Sequence, residues 1–193
     1  MQSLFLKSLM LAGVLACSHA AAADKPDYKV GDRLPQRSAP AAGEYKELPW
    51  DALIPPDWNP AKDLAGLDLS KLDDADPRAT RALEKLRAAW DNAPIVGALN
   101  GTRVRIGGFM VPLDGLRGQV TEFLLVPYFG ACIHTPPPPA NQIIHVVPAK
   151  PFKTDQAMDA VWVSGVLQTT RSTTGMGSAG YVMKADVVAP FRK

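Results

Sequence analysis

Four consecutive prolines at 136–139 interrupt the stretch YFGACIHTPPPPANQIIHV, residues 128–146. Proline has no backbone N–H and a fixed φ, so neither a helix nor a central strand passes through such a run. The chain on either side must fold as separate short elements, joined by a polyproline II spacer rising ~3.1 Å per residue. The same nineteen residues hold Cys132, His134 and His145, which makes this rigid join the natural place to look for chemistry.

Short β segments flank the run. QVTEFLLVPYF, NQIIHVVPA, AVWVSGVLQTT and GYVMKADVVAP are rich in β-branched and aromatic residues and are bounded by Gly and Pro. Upstream, Asn100-Gly101 is a preferred two-residue hairpin turn between two β-prone runs, and Arg103, Val104, Arg105 and Ile106 alternate polar and apolar. Five or six such strands with one helix ahead of them predict a mainly β fold, a small OB-like β-barrel, with a β-sandwich as the alternative.

The helix is DADPRATRALEKLRAAWDNAP. Asp76 can cap it, Pro77 suits its first position, and Leu83, Leu86 and Trp90 recur at helical spacing before Pro94 stops it. Ahead of it, 24–75 reads as a proline-rich tether and docking arm, in which ELPWDALIPPDWNP offers Trp50, Leu53, Ile54 and Trp58 to the domain at 76–193. The arm can dock in cis or exchange between copies, so the oligomeric state is left open.

Residues 1–23 have the layout of a secretion signal, with Lys7, an apolar core and Ala21-Ala22-Ala23 before Asp24. The expected product is periplasmic. An alternative cut after VLA would leave Cys17 as a lipidated first residue and anchor the chain to a membrane. No later stretch reaches the roughly 20 apolar residues of a membrane-spanning helix. After cleavage at Asp24, Cys132 is the single cysteine, and the charge becomes 20 basic against 19 acidic residues, since Lys7 is removed from the 21. That balance argues against a polyanion such as nucleic acid, despite the use that OB-like barrels make of it.

Cys132 and His134, two apart in an extended segment, project to one face, and a hairpin through the proline run can return His145 to them. One thiolate and two imidazoles suit zinc or copper. Buried structural residues are the competing reading, since His145 shares a face with Ile143 and Val147. A thiol enzyme is the third, with Cys132 as nucleophile, His145 or His134 as base and Asn141 as orienter. Asn141 and Gln142 also serve simply as side-chain ties. The match to G-x-G-x-x-G at Gly175–Gly180 is followed by a strand and not a helix, which argues for a glycine-rich turn. The scattered Met110, Met158, Met176 and Met183 read as core filling.

The blocks WDALIP, GGFMVPLDG and FLLVPYFGACIHTPPPPANQIIHV resemble those of a bacterial exported family classed as a domain of unknown function, over Trp50 to the C-terminus. The resemblance implies a periplasmic setting and, from genes found beside some members, a link to metal import or to ABC transporters. It assigns no ligands. The expected function is an accessory binding protein in zinc homeostasis with Cys132, His134 and His145 as ligands, or else a non-catalytic partner of an envelope ABC-transport complex.

Overall fold

The computed structural model describes residues 27–35, 44–59, 77–116, 118–135, 137–154, 156 and 158–191. The signal segment, Cys17, Asp76 and most of the arm lie outside them. The elements are β1 (Lys46–Glu47), α1 (Pro77–Asp91), β2 (Thr102–Leu116), β3 (Gln119–Val126), β4 (Ile144–Pro148), β5 (Phe152–Lys153), β6 (Ala160–Gln168), β7 (Ser172–Thr174), β8 (Gly177–Ala179) and β9 (Tyr181–Pro190).

Five strands close on themselves in the order β2–β3–β4–β9–β6 and back to β2. All contacts are antiparallel except β4 with β9, which run parallel. This is an OB-like barrel, as the strand pattern predicts. The remaining strands are accessory, β1 parallel on the edge of β2, β5 antiparallel on the start of β3, and β7–β8 a hairpin inside the β6–β9 connection.

Alternation decides what the barrel encloses. Val104, Ile106 and Met110 on β2, Ile144 and Val146 on β4, Val161, Val163 and Leu167 on β6, and Tyr181 and Met183 on β9 fill the interior. Their neighbours point outward. A second apolar cluster therefore forms outside the wall, with Phe109, Val111, Leu124 and Val126 covered by Ala131, Ile143 and Met158 from the loops.

The arm is part of this packing. Trp50 and Leu53 are buried in the interior cluster, and the Trp50 indole N–H donates to the Gly107 carbonyl at 2.7 Å. Residues 27–35 are not a free tether, because Gly31 N–H donates to Phe129 O, Phe129 N–H donates to Asp32 O, and Tyr28 meets the Phe109 ring edge-on at 5.0 Å.

Two local expectations change. The run before Asn100 forms a 3-10 turn at Gly97–Leu99 and not a strand, because Val96 N–H donates to the buried Tyr181 hydroxyl and so has no sheet partner. Gly101, at φ 75°, still makes the turn into β2. Among the described side chains of α1 the buried one is Ala82, whereas Leu83 is 61% exposed. The helix rests across β8, with Leu83, Leu86 and Trp90 lining an open groove whose far side is Pro137, Pro138 and the β7–β8 turn.

Candidate functional site

The loop after β3 is tied by one carbonyl. Gly130 O accepts from the N–H groups of Ile133, His134 and Thr135 and from the Thr135 hydroxyl. This tight turn forces Cys132 to φ 65°, a left-handed conformation unusual for a residue with a Cβ. Cys132 and His134 are consequently not neighbours on an extended strand.

Cys132 is half-buried against the outer apolar cluster. Burial pushes its thiol up to about 11 from an ordinary 9.0, so it is protonated at neutral pH. Iodoacetamide should therefore label folded Cys132 about 100-fold more slowly at pH 8 than the same residue in urea, and the folded rate should climb until pH 11. A labelling rate equal in the two states would contradict this.

His134 is exposed on the same loop. It lines a cavity of ≈ 570 Å³ with Asp27, Tyr28, Phe129, Phe152, Lys153, Thr154 and Asp159. The Tyr28 hydroxyl oxygen is buried, with no hydrogen-bond partner among the described residues, and burial and then Asp32 raise its pKa. Asp159 accepts a short hydrogen bond from the Thr154 hydroxyl.

His145 stands elsewhere, on the outward face of β4. Its Nε2 lies 2.5 Å from Glu122 Oε1 and its Nδ1 lies 2.7 Å from Ser172 Oγ, so both ring nitrogens are engaged. Among the described residues no three His, Cys, Asp or Glu groups come together in a way that could hold a metal ion.

The Asn-Gln pair is structural glue. Asn141, fully buried, donates to the Pro94 carbonyl at 3.0 Å, and Gln142 donates to Trp50 O at 3.0 Å and Asn141 O at 3.1 Å. These bonds lock the proline run to the arm and to the segment after α1. Pro138 is buried as well, so the run is less open to solvent than its composition suggests.

Glu122, Ser172, Tyr28 and Lys153 escape a reading of the sequence. They are ordinary polar residues outside the conspicuous stretch, and only strand pairing and the docked N-terminal segment bring them to it. The alternation in TEFLL did carry a signal, since it puts Glu122 on the face of Leu124, which pairs with His145.

Among the described residues no helix is long and apolar enough to cross a membrane. No curated protein matches the chain. A crystal structure of a DUF3299 family protein from Pseudomonas aeruginosa PAO1 is similar at 37% identity and a TM-score of 0.60, covering 78% of this chain and 99% of that one. Residues 50–190 match the family described as protein of unknown function (DUF3299), and the chain belongs to that family.

Proposed function

We propose that this protein is an exported accessory binding module of the cell envelope, and that its ligand sits in the cavity beside His134. One observation carries the reading: the tight loop at Gly130 directs the exposed imidazole of His134 to a ≈ 570 Å³ cavity that Lys153, Asp27 and Tyr28 also line. A cavity with a few convergent polar groups is where a small ligand binds. The leader-like 1–23 supports export.

A zinc ion is the ligand we favour, held by His134 with a carboxylate on the cavity wall and with water or a carried molecule completing the shell. Calorimetry with zinc, on the reduced protein and on His134→Ala, Cys132→Ser and His145→Ala, tests this. Binding at one ion per chain, lost with His134→Ala and retained with His145→Ala, is the expected result. Loss with all three would restore the set Cys132, His134 and His145, and no heat in the folded protein would remove the metal reading.

The exposed Leu83 beside Pro137 and Pro138 favours a second reading, a contact with an envelope transport complex through the α1 groove. A photocrosslinker at position 83 should then capture a component of such a complex in cells, and a Leu83→Glu chain should not assemble with it.

A further inference from the structure

Glu122, His145 and Ser172 form one hydrogen-bonded line on the outer wall of the barrel, apart from the His134 cavity. An ionised carboxylate only accepts hydrogen bonds. Neutral His145 therefore carries its hydrogen on Nε2, toward Glu122 Oε1 at 2.5 Å, and turns the Nδ1 lone pair toward Ser172 Oγ at 2.7 Å. The serine hydroxyl then donates to the ring. Hydroxyl, imidazole and carboxylate in that order are the nucleophile, base and orienting group of serine acyl transfer.

The fold supplies the three from separate strands. Leu124 on β3 pairs with His145 on β4, which places Glu122 diagonally across from the imidazole on the same face. Ser172 opens β7, in the connection between the fourth and fifth barrel strands, β6 and β9. In OB-like barrels the face of the second and third strands and this same connection take ligands. The relay occupies that place.

We propose that Ser172 is the nucleophile of an acyl-transfer site for small uncharged carboxylic esters, with His145 as general base and Glu122 as a positioning residue. The substrate class follows from access and charge. His145 is only 12% exposed and presents Nδ1, the ring nitrogen nearer the backbone, so a short acyl group fits where a long one does not. Glu122, 39% exposed, repels an anionic ester. In the first step Ser172 Oγ bonds to the acyl carbon, its proton passes to Nδ1, and the carbon–oxygen bond to the leaving alcohol breaks as the alkoxide takes that proton. Water then attacks the acyl-serine, giving its proton through Nδ1 to Ser172 Oγ and releasing the carboxylic acid.

A fluorophosphonate probe with peptide mass spectrometry, together with hydrolysis of p-nitrophenyl acetate, tests the assignment. The expected result is one covalent adduct, on Ser172, absent in Ser172→Ala and formed about 100-fold more slowly in His145→Gln, as the loss of a general base requires. Glu122→Gln should slow labelling and move its pH profile, which a merely structural pairing would not do. Ser172→Cys guards against a misfolded alanine variant, because a thiol beside His145 should react with iodoacetamide at pH 7 faster than the protonated Cys132. A folded protein without a Ser172 adduct, a His145→Gln variant labelled at the wild-type rate, or a Ser172→Cys thiol slower than Cys132 would each overturn the proposal.

Discussion

Tyr181→Ala should lower the stability of the barrel by roughly 4 kcal/mol, the range for removing a fully buried aromatic side chain. Tyr181 is the largest fully buried side chain among the described residues, and its ring fills the interior between β4 and the arm. Its hydroxyl donates to Leu53 O and accepts from Val96 N–H, both at 2.8 Å, so one oxygen holds the arm and the segment after α1 against the wall. Tyr181→Phe separates the two contributions. It keeps the ring but leaves that carbonyl and N–H unpaired, at about 2 kcal/mol. Urea unfolding of both variants checks the split, and local hydrogen exchange around Leu53 and Val96 should rise in Tyr181→Phe before global stability is lost. Equal stability of wild type and Tyr181→Phe would show that water replaces the hydroxyl and that the burial of Trp50 and Leu53 and the Gln142 bond hold the arm without it.

Gly165→Ala should cost about 3 kcal/mol, the upper end for overpacking a well-filled site. The β6–β9 ladder shifts register between Ser164 and Gly165. A Cβ at Gly165 would stand 2.2 Å from the Lys184 carbonyl oxygen and 2.8 Å from the Ala185 Cα, and backbone atoms cannot turn aside as a side chain does. The two strands must therefore separate where the sheet bends to close. A melting temperature lowered by about 10 °C or more would follow for a domain of this size. Gly175→Ala is the control, since nothing lies within 4 Å of a Cβ there.

What the sequence shows and what it withholds follows from the range of the physics. Strands β3, β4, β6 and β9 are legible as short β-branched and aromatic runs bounded by Gly and Pro, β2 from the alternation at Arg103 to Ile106, and α1 from Pro77 and Pro94, because those signals are local. Leu83 misleads, since helical spacing says which residues share a face but not whether that face meets the core. The link of β4 to β9, and with it a closed barrel, rests on partners dozens of residues apart and is only inferred from strand count. The conspicuous Cys-His-proline stretch divides its residues among different jobs. Cys132 packs, Asn141 and Gln142 tie, His134 opens on a cavity, and His145 joins Glu122 and Ser172, whose polar side chains carry no mark of their neighbour until the sheet is assembled.

The parallel pairing of β4 with β9 also sets an order of events in folding. β2 and β3 can form a hairpin early, and β4 can add to β3, but β4 and β6 each keep an open edge until residues 181–190 arrive between them. Such late, distant contacts slow folding relative to helical proteins of equal size. Until β9 inserts, the exposed edge of β4, whose sequence is IHVVP, is a template for another chain's strand. The strand that completes the wall is thus also the chain's protection against aggregation, and loss of the segment from Tyr181 onward would yield an insoluble chain and not a smaller working domain.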